Sequence, residues 1–358
     1  MDPNDHPDRK VNGNVVTPAL LTLTHPLIAL PYKAIRIIWS VLQYGCLLGC
    51  FLLVCPGVFK TGWRIKAAPL IILALFSCST VWFYNIERGQ VYPFYLFLFA
   101  LIYRLSQSTG RTGQFIAGCL AGLCVFVRPL LGVLSIPFVL AKNTGWLAGF
   151  ATGIIIGALV FVLPKSDEWR DYKLAMDEYG NEMLGYSAWR SDIVVKDMPA
   201  SIEGMSNLQK SGFFNTGGLT TLQFYFKGRG ILLSSKILMG CYALLVMLLA
   251  WLYLRGGKGT IANDRVFLFG FLLYTAAELF LPGYRGGYNL VQWFFPVLLI
   301  SCYWPAYKNV LLVMGLAMVL LNGWLPGLPH LFELAEVILL CLLAWICLVA
   351  QKTKVKPV

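Results

Sequence analysis

The chain reads as an all-α polytopic membrane protein, a bundle of about eleven transmembrane helices with one long extracytoplasmic loop. Three observations predict this. Hydrophobic residues make up 58% of the sequence and charged residues 13%, against roughly 45–50% and about 25% in soluble domains. The apolar residues gather into runs, and crossing a hydrocarbon core about 30 Å thick takes roughly 20 residues at a helical rise of 1.5 Å. The polar residues collect in short turns and in one stretch, residues 165–229.

The opening MDPNDHPDRK is polar and lacks the basic start and apolar core of a signal peptide. From Thr17 to Pro31 the sequence is apolar but short and broken by prolines, so residues 1–33 are read as an extracytoplasmic segment with an interfacial or re-entrant element. Spans are predicted at 34–56, 68–85, 91–105, 114–127, 129–141 and 145–164, forming a first membrane bundle over 34–164. A second bundle over 231–350 holds spans at 231–254, 266–283, 289–304, 309–323 and 331–350, and a basic cytoplasmic tail, 351–358, follows. Between the bundles lies the extracytoplasmic loop 165–230. Its SDEWRDYKLAMDEYG predicts an amphipathic helix capped by Ser166, with Asp167 and Glu168 at the positive end of the dipole, Trp169, Tyr172, Met176 and Tyr179 on one face, and Gly180 as its stop. Gly145, Gly149, Gly153 and Gly157 recur every four residues, which lets a second helix approach closely.

Orientation turns on the run from Phe115 to Ala141, read here as a tight helix pair broken at Arg128 and Pro129 rather than as one long helix. With the pair, Lys60, Arg64, Lys66, Arg104, Arg111, Lys142, Arg255, Lys258, Arg265, Lys308 and the tail lysines share the cytoplasmic side with a single acid, Asp264. That is the asymmetry of the positive-inside rule, against which only Lys33 and Arg36 run. The N-terminus and the unusual polar turns then share the outer face of the plasma membrane.

The net charge of +12 follows from this topology. A nucleic-acid surface needs its Lys and Arg on one folded face, whereas here they sit in short loops between apolar runs, so no nucleic-acid partner is assigned. All ten cysteines fall within apolar segments and read as packing residues rather than disulfides or zinc ligands. Only three histidines are present, widely scattered, and no Walker loop, dinucleotide fingerprint or Ser-His-Asp order occurs, so no cofactor or metal is assigned.

Ionisable groups inside a bilayer cost roughly 2.5–3.5 kcal/mol on insertion scales and mark functional sites by default. Four places qualify. In YNIERGQVYPF, residues 84–94, Asn85, Glu87, Arg88 and Gln90 crowd one outer turn, with Gly89 permitting close backbone approach. Arg128 before Pro129 can hold a phosphate with two parallel hydrogen bonds while keeping its charge in a low dielectric. In ELFLPGYRGGYNLVQWFFP, residues 278–296, Glu278 lies within a span and Arg285, Tyr288, Asn289 and Gln292 follow a glycine-rich turn suited to an anion and to sugar hydroxyls. The fourth is the N-terminal acid run with Asp5 and Asp8. Solvated turns, snorkelling arginines and an unstructured tail are the plain alternatives.

These stretches, in this order, resemble the polyprenyl-phosphate-mannose-dependent mannosyltransferases of glycosyltransferase family 87, a branch of the membrane-embedded GT-C fold. TPALLTLTHPLIALPYKAIRIIW is similar to the family's proline-containing apolar segment, and NIERGQVYPFYLFLFAL with AGCLAGLCVFVRPLLGVLSIPFVL to its GQ motif and following basic-proline hairpin. LPGYRGGYNLVQWFFPVLL stands in place of a polar, often histidine-containing motif, with Tyr288 and Asn289 where histidines are common. An exterior start fits a chain without the family's first transmembrane helix, and Asp5 and Asp8 lie closer to Pro18 than the family's catalytic aspartate.

The resemblance implies hexose transfer from a polyprenyl-phosphate sugar to a lipid-linked or cell-envelope glycan acceptor among membrane lipids. Arg128, Arg285 and Arg88 would hold the donor phosphate. Gln90, Asn85, Tyr288, Asn289 and Glu278 would contact sugar or acceptor, and Asp5, Asp8 and Glu87 are the candidate bases. Two rival classes are a polyisoprenoid or amphiphile transporter, which internal repeats would favour, and a noncatalytic membrane subunit.

Overall fold

A computed structural model describes residues 17–56, 63–87, 89–108, 110–183, 235–256, 263–280, 287–302, 308–320 and 331–348, and among them every regular element is a helix. A short helix α1 (Pro18–Thr24) and a 3-10 turn precede α2 (Tyr32–Val54), α3 (Trp63–Ser77), α4 (Thr80–Glu87), α5 (Tyr92–Ser106) and α6 (Arg111–Val127). After a 3-10 segment (Pro129–Leu134) come α7 (Ser135–Leu140), α8 (Thr144–Gly157) and α9 (Ser166–Met183). The second half holds α10 (Ser235–Gly256), α11 (Asn263–Phe280), a 3-10 turn (Gly287–Trp293), α12 (Phe294–Ser301), α13 (Lys308–Leu320) and α14 (Leu331–Leu348).

The all-α membrane architecture stands. By length and composition, Tyr32–Val54, Thr144–Met176 and Lys236–Arg255 can each cross a membrane, and the pair Ala67–Ser77 and Thr80–Glu87, bent by 54°, makes a fourth if counted as one. The bend has a local cause, since the Ser79 hydroxyl accepts a hydrogen bond from the Trp82 amide at 3.0 Å and so caps a new helix. Other predicted spans are shorter apolar helices, such as Tyr92–Ser106, Arg111–Val127 and Leu334–Leu348.

Two features differ from the sequence-based expectation or sharpen it. Ser166 does not cap a separate helix, and Gly180 does not end one: the backbone stays helical from Thr144 to Met183. Pro164 has no amide hydrogen to donate, and the chain passes it through a π-turn over Ala158–Val162 and a 3-10 turn over Leu163–Lys165. The Trp169 indole nitrogen reaches back to the Phe161 carbonyl at 2.7 Å, which ties the two parts together.

The second feature concerns α6 and α8. Gly118 faces Trp146 and Phe150, Gly122 faces Phe150 and Ile154, and Gly149 and Gly153 face Phe115 and Cys119 in turn. Contacts that advance together along both helices mean that α6 and α8 run parallel. The segment between Val127 and Thr144 must therefore travel back, so Phe115 to Ala141 is a broken pair. The glycines allow the backbones to touch, and no side chain separates them.

The core sits around α11 and around α12 with the 3-10 turn before it, where residues 266–279 and 289–301 are buried. Phe99, Phe271, Tyr274 and Phe295 pack ring on ring, stacked, tilted or edge to face, at centroid distances of 5.4–6.3 Å. By contrast, α10 leaves Leu244, Met247, Leu248 and Trp251 exposed, as a lipid-facing helix does.

Candidate functional site

The site is built at the break after α6. Proline disfavours the helical conformation in the residue before it, and Arg128 is extended at φ −146°, ψ 101°. Its amide still donates to the Cys124 carbonyl at 2.9 Å, so the residue is anchored to the helix while its side chain leaves the helical path. The Thr17 hydroxyl donates to the Val127 carbonyl at 3.1 Å and fixes the start of α1 against the same end.

The Arg128 guanidinium donates to Glu278 of α11, and the two side chains are 15% and 3% exposed. The arginine expected to meet a phosphate thus meets a carboxylate in this structure. Tyr274, one turn before Glu278 on α11, donates its hydroxyl to the same carboxylate oxygen. The Gln292 amide nitrogen lies 3.3 and 3.4 Å from the two carboxylate oxygens. Around the cation stand three aromatic rings, Tyr92 at 4.7 Å, Tyr95 at 5.1 Å and Tyr274 at 5.7 Å from the guanidinium carbon to the ring centroids. Ring faces of this kind favour a cation by about 0.5–2 kcal/mol each.

The predicted outer turn joins this centre through α5, since Tyr92 follows it directly. Gly89 takes φ +59°, a left-handed conformation that a side chain disfavours, and its carbonyl accepts from the Trp39 indole at 2.9 Å. Buried Gln43 of α2 donates to the Gln90 carbonyl at 2.6 Å and sits 3.4 Å from the Asn85 carbonyl. Asn85 is buried and its side chain donates to the Val81 carbonyl, Gln90 is half-buried, and Glu87 is exposed at the end of α4. Helix α4 packs on the 287–293 turn, which carries buried Asn289 and Gln292. Buried Gln43 Oε1 and Asn289 Oδ1 each lack a hydrogen-bond partner among the described residues.

Arg128, Glu278, Asn85, Gln90 and Asn289 are therefore drawn toward one end of the bundle from three separate stretches of sequence. Asp5, Asp8, Arg88 and Arg285, and the side chain of Tyr288, lie outside the described residues. Sequence reasoning missed Tyr92, Tyr95, Tyr274 and Gln43. The spacing of Tyr274 and Glu278, four apart on one helix, was a usable signal; the rings around Arg128 had none, because their contacts cross between helices.

A family model for glycosyltransferase family 87 matches residues 16–282, three quarters of the chain. The chain belongs to that family. The match covers Arg128 and Glu278 and ends before Asn289 and Gln292. No curated protein and no solved structure matches the chain. Family membership and the apolar helices together make it a membrane glycosyltransferase.

Proposed function

We propose that this family 87 member transfers a mannose-like hexose from a polyprenyl-phosphate donor to a lipid-linked or cell-envelope glycan, at the extracytoplasmic face of the plasma membrane. The observation that carries the reading is the Arg128 guanidinium, held at a helix break among three tyrosine rings and 15% exposed. A lipid-linked phosphate entering sideways from the bilayer needs an anion partner at such a place, and a fixed guanidinium supplies two parallel donors without losing its charge.

In the reaction, an acceptor hydroxyl oxygen attacks the anomeric carbon from the side opposite the phosphate, which inverts that carbon. The bond from the anomeric carbon to the phosphate oxygen breaks, and its electron pair leaves with the phosphate. Arg128, with Arg285 and Arg88, stabilises the charge that grows there. Gln90, Asn85, Tyr288 and Asn289 orient the sugar, and the partnerless Asn289 Oδ1 suits a donating hydroxyl. For the acceptor proton the sequence offers Asp5, Asp8 and Glu87.

The test supplies protein in lipid with a radiolabelled polyprenyl-phosphate mannose and crude envelope lipids. Label is expected to move to the acceptor fraction, and Arg128→Ala to slow that transfer by about 10²-fold or more. Label that crosses the bilayer without transfer replaces the enzyme with a transporter; no transfer and no crossing leaves a noncatalytic subunit.

A further inference from the structure

Cys55 and Cys302 stand 247 residues apart in sequence, and their sulfurs lie 2.9 Å apart. Each ends a helix: Cys55 follows α2 and Cys302 follows α12, two helices that pack together and belong to opposite halves of the chain. The Cys55 backbone leaves the helical path at φ −114°, ψ 53° while its amide still donates to the Phe51 carbonyl at 2.9 Å, so its sulfur projects from an anchored backbone. The Cys302 sulfur lies 3.5 Å from the Leu298 carbonyl oxygen and 3.9 Å from that of Val54. Cys55 is 3% exposed and Cys302 half-buried, which gives a reagent access to one sulfur and keeps the other behind it. A disulfide bond is about 2.05 Å long, so closure takes a shift of about 0.9 Å. Packing explains a buried cysteine; it does not by itself bring two sulfurs from distant segments face to face.

We infer that Cys55 and Cys302 form a reversible disulfide site that joins the two membrane bundles, with Cys302 the attacking residue and Cys55 the resolving one. The oxidant is a small diffusible disulfide of the glutathione kind. The Cys302 thiolate attacks one of its sulfurs and expels one small thiolate, which leaves a mixed disulfide on Cys302. The Cys55 thiolate then attacks the Cys302 sulfur and expels the second small thiolate. Two electrons pass from the pair to the small disulfide, and the two protons lost by the cysteines end on the two small thiols. With the orientation read from the sequence the pair lies at the cytoplasmic end, where thiols are kept reduced, so it rests as two thiols and closes under oxidation. The closed bond fixes α2, which carries Gln43, against α12, which follows the turn bearing Asn289 and Gln292.

The experiment treats the purified full chain in lipid micelles with glutathione disulfide, blocks free thiols with a maleimide before unfolding, and identifies cysteine-linked peptides by mass spectrometry. Wild type is expected to yield a Cys55 peptide joined to a Cys302 peptide and to lose maleimide labelling at both residues by about tenfold or more, with dithiothreitol reversing both changes. Cys55→Ser is expected to keep one glutathione on Cys302, and Cys302→Ser to leave Cys55 free. Cys55→Ala stands in if Cys55→Ser does not fold. A wild-type protein that stops at the glutathione adduct overturns the inference. So does either residue joined to a different cysteine, or labelling of both at the rate of untreated protein. None of these readouts depends on sugar transfer, so the transferase reading stands or falls separately.

Discussion

Replacing Arg128 by methionine removes the cation that the Glu278 carboxylate, 3% exposed, pairs with. Breaking a buried pair from one side costs about 3–5 kcal/mol. Lost contact with the rings of Tyr92, Tyr95 and Tyr274 adds to this, while the flexible methionine chain fills part of the space. Arg128→Met is therefore expected to destabilise the protein by about 4 kcal/mol, and Glu278→Gln by about 3 kcal/mol through the converse fault. Together the two substitutions remove both members of the pair, so the double variant should recover about 2–3 kcal/mol relative to the sum of the singles. Unfolding in mixed micelles titrated with a denaturing detergent measures all three. Lys165 and Glu168 provide the control: that pair is 34% and 52% exposed, and its cycle should yield no more than about 0.5 kcal/mol. Single costs that add within about 0.5 kcal/mol at Arg128 and Glu278 would refute the coupled, buried pair.

Two further outcomes follow from packing and from titration. A Cβ added at Gly153 would lie 2.9 Å from the Cys119 carbonyl carbon and 3.0 Å from its Cα, backbone atoms that cannot rotate aside. Gly153→Ala should thus force α6 and α8 apart and lower stability by about 1–3 kcal/mol in the same titration, whereas Gly240→Ala on α10, with nothing within 4 Å of the added carbon, should stabilise slightly. Equal effects at the two sites would argue against the close helix contact. Asp264, just before the apolar run of α11, accepts from the Tyr103 hydroxyl at 2.7 Å and the Gln107 amide at 2.6 Å. Burial pushes its carboxyl above the ordinary value of 3.8, more than these hydrogen bonds lower it. The folded state then holds the proton more tightly than the unfolded one, so its contribution to stability is complete below 3.8 and is lost as pH rises through the raised value. Asp264→Asn should flatten that part of the thermal-stability profile against pH; an unchanged slope would show that Asp264 does not titrate there.

Local rules explain what was legible in advance. The apolar runs announced the helices because crossing lipid requires backbone hydrogen bonds within each segment. Pro129 announced the break because its ring restricts Arg128 directly. The four-residue spacing of glycines on α8 announced a close neighbour but not which helix it was, and α6 in parallel register could be found only once the chain was folded. The same periodic reasoning failed at Ser166, where a serine followed by two acids has the pattern of a helix start. There the π-turn and the Trp169 contact to Phe161 carry the helix through Pro164.

By itself the sequence determined that this is a helical membrane protein with polar residues at a few breaks, and its motifs placed it near family 87. Only the tertiary structure decided that Arg128 belongs with Glu278, 150 residues away, inside a ring of tyrosines from α5 and α11. The reason is the range of the forces involved. Steric limits and hydrogen bonding along one helix act between neighbours and can be read from spacing, whereas the partner of a buried charge depends on which helices come to lie side by side.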